Sequence, residues 1–450
     1  MSIKAKLNTF DTTMIVVSLV IGVGIFRTPP MVAAATKTPR LFFATWTAGG
    51  LISLLGALTF AEIGSRFPKA GSYYKVVAEC HGSWLAFMLN WINVLFVNGV
   101  GAAAVATTAA EYLCPILLPA HLRTPQATQL TAAGLILVLF AINYAGIRTG
   151  AWAQDVLTVL KLLVVAAIVV AAIRFRGAVE QSTLPGAGDR PWALALGTGL
   201  ISVLYAYGGY QCTINFGADI KSSRATMPRG IFWGIAIILA CYLLLNGAYV
   251  RVLGIAGVAG AELVAAEVAR RCFGEVGHLF ISLAIVLSAL GFLNVTLMQI
   301  PRAYYAMAAD GVLPPIFMRV NQRTQVQEFT LTFFVATILL SIAFLATFEK
   351  MVGYIMFLDC LTIAVVASTL FVLRRRGGTA AYQVPGYPVL PVVFILCMLI
   401  VPGAVAVTQP WTALAGMVVC IAGYPVFVVL RRINRLWRDP WQKLERQGPP

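Results

Sequence analysis

The sequence predicts an all-α polytopic membrane protein, and three observations carry that reading. The 450 residues are 60% hydrophobic and only 11% charged, with a mean hydropathy of +0.85. A water-facing surface needs more, since soluble domains carry roughly 25% charged residues. Apolar runs near the ~20 residues that a spanning helix requires recur along the whole chain with short polar loops between them. No remaining segment is long enough for a separate soluble domain.

Taken in order, the runs are 10–36, 41–64, 83–113, 127–147, 151–173, 192–217, 229–251, 277–308, 330–348, 351–373, 388–408 and 411–432. The opening MSIKAKLNTFDTT lacks a cleavable signal pattern, so the first run reads as a retained helix. Twelve spans put both termini on one side. With that side cytoplasmic, 21 of the 33 Lys and Arg fall at inner loops, tails and span ends and 10 fall outside, with Arg27 and Lys161 within spans. The excess predicts cytoplasmic termini in the cell membrane. The net charge of +16 would suggest nucleic acid on a soluble protein. Here it sits in loops, where it sets topology and meets anionic headgroups, so the bilayer and not nucleic acid is the expected partner. The 8 cysteines are dispersed without a C-x-x-C pair, which leaves neither a disulfide framework nor a metal site. No cofactor is expected. The longer loop 252–276 interrupts apolar residues with Glu262, Glu267, Arg270 and Arg271, the pattern of an amphipathic helix on the outer surface.

Two spans are interrupted. The first carries Gly22-Val23-Gly24-Ile25-Phe26 followed by Pro29-Pro30, and the sixth carries Tyr205-Ala206-Tyr207-Gly208-Gly209-Tyr210. Glycine inside a helix costs about 1 kcal/mol relative to alanine, and a single such site often only permits close packing. Two sites separated by five spans are the signature of an inverted repeat with a midplane binding site. Unwound backbone there offers N–H groups to an anion and C=O groups to a cation. A substrate bearing a carboxylate and an ammonium fits both.

These residues resemble the amino acid–polyamine–organocation permeases, and within them the L-type amino-acid transporter branch. The likeness covers nearly the whole chain. Gly22-Val23-Gly24-Ile25-Phe26 matches the family's Gly-x-Gly-Ile-Phe break. Thr59 to Gly64 and Arg66 to Tyr73 match its second-span exit and loop. Ala206-Tyr207-Gly208-Gly209-Tyr210 resembles the L-type form of the sixth-span break. Asp219-Ile220-Lys221 with Met227-Pro228-Arg229, and Pro301 to Met307 with Asp310-Gly311 and Leu313-Pro314, resemble two further loops. Ser222-Ser223 and Gln325-Val326-Gln327 depart from the family's Asn-Pro and Thr-Pro.

The resemblance implies a LeuT-type fold in a single membrane domain, 1–450. Residues 10–173 would form the first five-helix repeat and 192–373 the inverted second. Residues 388–432 would be peripheral helices and 433–450 a basic cytoplasmic tail. It also implies that the backbone of Gly22, Val23, Gly24 and Ile25 takes the substrate carboxylate. Carbonyls near Ile21, Leu204, Tyr205 and Ala206 would take the ammonium, with Tyr207 and Gly208 also at the substrate and Tyr205 at an aromatic gate. Sodium-independent relatives carry a lysine in span 5. Lys161 would then tie spans 1, 5 and 8 together near Ser288, serving an exchanger's latch or a proton-linked step.

Other ionisable groups inside spans are functional candidates because their burial is costly. Arg27 either draws the substrate carboxylate or reaches vestibule water. Glu62 pairs with a loop cation such as Arg66 or Lys69 and helps to close the inner gate. Asp359 is either a vestibule charge partner or a residue near the outer water. The expected function is transport of amino acids, neutral α-amino acids first, with a cationic amino acid or polyamine as the alternative cargo. No His cluster, Gly-x-Ser-x-Gly or paired acids support an enzyme. Whether an accessory subunit sits beside the protein is left open by these residues.

Overall fold

The computed structural model describes residues 8–66, 72–144, 151–175, 177, 183–186, 191–211, 223–309, 313–321, 326–345, 347–377, 380 and 382–445. Among these every regular element is helical. The chain runs through α1 (Thr9–Val20), α2 (Gly24–Arg27), α3 (Pro29–Thr36), α4 (Pro39–Arg66), α5 (Ser72–His81) and α6 (Ser83–Trp91). A wide π turn over Ile92–Val97 leads into α7 (Asn98–Leu117). Then come α8 (Pro125–Tyr144), α9 (Ala151–Arg174), α10 (Trp192–Tyr207), α11 (Ser223–Gly260) and α12 (Val264–Ala309). The last four are α13 (Glu328–Leu345), α14 (Phe348–Arg375), α15 (Val389–Thr408) and α16 (Pro410–Glu445).

Nine of the described helices are long and apolar enough to cross a membrane. Two of the other expected spans fall short because glycine interrupts them. The run 10–36 is cut into α1, α2 and α3, and the run 192–217 yields a helix that stops at Tyr207. The fifth lies along α9, of whose side chains only those from Leu163 on are described. The loop motifs at 67–71, 219–221 and 310–311, and with them Lys69, lie outside the described residues.

Local chemistry explains the element ends. Pro29 and Pro30 open α3, where the missing N–H is no loss, and Lys37 closes it in a left-handed conformation at φ 59°. Thr347 caps α14 by accepting from the Lys350 N–H, while Arg374 and Arg375 face its carbonyl end. Gly254, at φ 69°, kinks the chain within α11, and Gly274, also at φ 69°, kinks it again within α12. Both conformations favour glycine.

The stretch between those bends holds the helix expected there. It is helical and amphipathic, but its apolar face of Val264, Ala265, Ala266, Val268 and Ala269 is buried in the protein. That face therefore packs against the rest of the protein. The last span also continues unbroken into the basic tail, since α16 runs to Glu445.

Packing sorts the helices into centre and rim. Two-thirds of the apolar stretch is buried in α7 and in α14 (67% each), against 22% in α8 and 17% in the first part of α16. α1 lies along α11, α10 against α3 and α4, and α12 against α7 and α9. α14 contacts α4, α7, α10 and α15, so it touches most of the central elements. The interrupted segments are thereby held in the middle of the bundle.

Candidate transport site

The first break spans Ile21–Val23. Val20 ends α1, and Gly24 begins α2. The N–H groups of Gly22, Val23 and Ile25 donate to no backbone carbonyl among the described residues, whereas Ile21 N–H still reaches Val17 O at 2.9 Å and Phe26 N–H reaches Val23 O at 3.0 Å. In the sixth run α10 closes at Tyr207, and Gly208 leaves the helix with ψ at 151°. The Gly208 N–H turns to Tyr205 O at 3.2 Å, which releases the Leu204 carbonyl from its ordinary i+4 donor. Gly209, at φ 117°, completes the bend, and its N–H is taken by the Gln211 side chain at 2.8 Å.

The two breaks meet. A side chain on Gly24 would place its Cβ 2.9 Å from Ala206 Cα and 3.6 Å from the Tyr205 ring. Gly24 is thus a packing glycine that lets α2 lie on α10, a purpose the sequence reading did not give it. Gly22 differs, because a Cβ there meets nothing closer than Val20 O at 3.8 Å. Between the breaks stands Tyr242 of α11, which is 1% exposed. Its hydroxyl lies 3.1 Å from Val20 O and 2.9 Å from Ala206 O.

Above the breaks, Arg27 meets Glu111 of α7 at 2.6 Å (Nε to Oε2) and 3.1 Å (Nη2 to Oε1). The guanidinium also lies over the Phe348 ring, 5.2 Å from its centroid, and Phe348 takes Tyr205 edge-on at 5.7 Å. Tyr112 donates to Phe26 O at 3.2 Å. The far ends of α2, α7, α10 and α14 are therefore stitched together. The sequence reading offered substrate carboxylate or vestibule water as the partner of Arg27 and missed Glu111. The available signal was an acid near the end of the run 83–113, opposite an arginine near the end of the run 10–36.

At the other end of α4 and α14, Glu62 is fully buried and holds four donors. Arg66 reaches it at 2.7 Å, Arg374 at 2.8 and 2.6 Å, and the Val384 N–H at 2.7 Å. Arg374 stacks on Tyr387 at 3.8 Å. The expected pairing with Arg66 is present, and Arg374 and Val384 are additions. Ser288 is buried in α12, which packs on α9. Lys161 lies on α9 with its side chain outside the described part. Asp359 is half-buried on α14 and has no ion-pair partner among the described residues. No metal-binding cluster occurs among the described residues.

Unwound backbone facing unwound backbone, inside an apolar helical bundle and closed by charge at both ends, is the construction of a membrane transporter for a small solute. The family profile "Amino acid permease" matches residues 7–428, and the chain belongs to that family. It is an integral membrane amino-acid transporter, not an enzyme. The chain is 25% identical over 437 residues to the serine/threonine exchanger SteT of Bacillus subtilis, covering 96% of this chain and 98% of that one. It is 24% identical to the mouse b(0,+)-type amino acid transporter 1 over 462 residues, covering 100% and 94%. It is also 24% identical to the human large neutral amino acids transporter small subunit 2 over 439 residues, covering 95% and 80%.

Proposed function

We propose that the protein carries neutral α-amino acids by alternating access around the paired breaks. In this reading the twelve runs form the LeuT-type arrangement, 10–173 and 192–373 as inverted repeats with 388–432 at the rim, and both termini face the cytoplasm. One observation carries the reading. The N–H groups of Gly22, Val23 and Ile25, which meet no backbone carbonyl among the described residues, and the carbonyls of Ile21 and Leu204 lie at two breaks in direct contact, a match for the two ends of a zwitterion. Gly24, Tyr205, Ala206, Tyr207 and Gly208 shape the walls.

The relatives named for serine and threonine and for large neutral amino acids favour an uncharged side chain. The acids support the same choice. Glu111 is occupied by Arg27, and Glu62 by Arg66 and Arg374. Among the acids within spans whose side chains are described, a cationic cargo would fall to Asp359. The test is a competition panel of all amino acids against one labelled substrate, with purified protein in liposomes. Serine, threonine, alanine or leucine should compete best. Dominance by arginine or lysine would overturn the assignment.

A further inference from the structure

None of the break residues lines the groove between α6 and α16. Gly423 lets these two helices approach, since a side chain there would place its Cβ 2.5 Å from Met88 Sδ. Phe87 packs on Phe427 at 5.2 Å, and Trp84 meets Tyr424 edge-on at 6.4 Å. Beside these contacts the helices leave a space of about 950 Å³. Trp84, Met88, Ile421, Tyr424 and Val428 give it an apolar wall that ends at Arg432. Trp84, Ile421 and Tyr424 are exposed, so the groove opens outward from a rim helix, toward the lipid of a membrane.

Its depth and charge fit one kind of occupant. From Ile421 to Arg432 is eleven residues of helix, about 16 Å at 1.5 Å per residue. That is close to half of the ~30 Å hydrocarbon core, the depth of one leaflet. The apolar part of α16 ends at Val429, so Arg432 stands where hydrocarbon gives way to headgroups. No acid is among the residues lining the groove, and Arg432 has no carboxylate partner among the described residues. Beyond it the chain adds Arg435, Arg438, Lys443 and Arg446 against Asp439 and Glu445. A guanidinium takes a phosphate by two parallel hydrogen bonds, and a basic cluster beside a span draws anionic headgroups. The same charge disfavours a second copy of this chain in the groove, because the copy would bring an equally basic tail.

We propose that the groove between α6 and α16 binds an anionic phospholipid, with one acyl chain along Trp84, Met88 and Val428 and the phosphate on Arg432. The lipid fills the gap between the rim helix and a span that continues through Ile92–Val97 into α7, which carries Glu111.

The experiment is native mass spectrometry of the full-length protein in detergent. The probes are dioleoyl phosphatidylglycerol and dioleoyl phosphatidylcholine, which share their chains and differ in net charge. Wild type should retain one phosphatidylglycerol about tenfold more strongly than phosphatidylcholine. In Arg432→Gln that preference should disappear. Arg319→Gln removes an exposed cation that does not line the groove, and it should keep the preference. Val428→Trp fills the groove and should lower retention of both lipids. Ile421→Trp, at an exposed position, repeats that measurement should Val428→Trp fold poorly. An unchanged preference in Arg432→Gln overturns the proposal. So does an equal loss in Arg319→Gln, which would show attraction to net charge alone, and so does undiminished retention in both groove-filling variants. A wild-type dimer that Val428→Trp splits into monomers would give the groove to a second copy of the chain and overturn the proposal as well.

Discussion

Arg27 and Glu111 form a two-point ion pair between a four-residue helical fragment and the far end of α7, with Nε–Oε2 and Nη2–Oε1 separations of 2.6 and 3.1 Å. A planar guanidinium matches a carboxylate in this way and a lysine would not. The side chains are 19% and 22% exposed, so solvent screens the pair only in part. Removing one partner strands the other in a poorly hydrated place. Glu111→Gln should lower the melting temperature, and so should Arg27→Gln. The double variant should be less destabilised than the sum, with a coupling of about 0.5–3 kcal/mol. Additive losses in the cycle would show that the pair is not a clasp.

Glu62 makes a stronger demand. A buried carboxylate with four donors is costly to disturb, and breaking such a network typically costs about 3–5 kcal/mol. Glu62→Gln keeps the shape but loses the charge that opposes Arg66 and Arg374. The contact of α4 with α14 and the 382–384 segment should loosen, seen as faster amide hydrogen exchange at Val384 and as faster substrate release toward that side. Unchanged exchange at Val384 would remove Glu62 from the gate.

Lys161 is proposed to stand where sodium-coupled proteins of this fold hold an ion. Uptake into liposomes should then persist when choline replaces sodium, and Lys161→Met should slow transport sharply while insertion and folding survive. Strict sodium dependence, or full activity in Lys161→Met, contradicts this. Repeating the assay with an imposed pH gradient separates an exchanger from a proton-linked carrier.

His81 supplies a pH dependence outside the spans. Its Nε2 lies 3.0 Å from Ser368 Oγ of α14. Partial burial, and then the Arg376 charge, push its pKa below the ordinary 6.5. The folded protein therefore binds a proton at His81 less readily than the unfolded chain. That difference has no effect well above pH 6.5, grows as pH falls below 6.5, and is complete below the depressed value. Thermal stability should drop between about pH 7 and pH 5 more in wild type than in His81→Gln. Parallel pH profiles would exclude His81 as the cause.

What the sequence disclosed follows from the range of its signals. The breaks were legible because Gly22, Gly24, Gly208 and Gly209 interrupt apolar runs, a local pattern. Arg27 and Glu62 were legible because charge within an apolar run is conspicuous on its own. Glu111, Arg374 and Tyr242 were not. Arg374 lies 312 positions from Glu62 and looks like one more basic residue at a span end. Tyr242 sits in an apolar run where an aromatic ring is ordinary, and only the packing of α11 against α1 brings its hydroxyl to the breaks. The purpose of Gly24 was hidden for the same reason, since its neighbour Ala206 is distant in the chain.

The wide turn at Ile92–Val97 has a consequence for how this span tolerates changes in length. The Asn98 N–H there reaches back five residues to Asn93 O, and its side-chain amide bonds the same carbonyl at 2.7 Å. Such a turn accommodates one residue more than an α turn does. Before it, Phe87 packs on Phe427 of α16; after it, Glu111 meets Arg27. The turn acts as slack that keeps both ends of the span in angular register. Deleting one residue within 92–97 should tighten the coil to ordinary α geometry and leave both contacts in place. The same deletion elsewhere between Ser83 and Glu111 would rotate one end against the other by about 100° and swing the carboxylate away from its arginine.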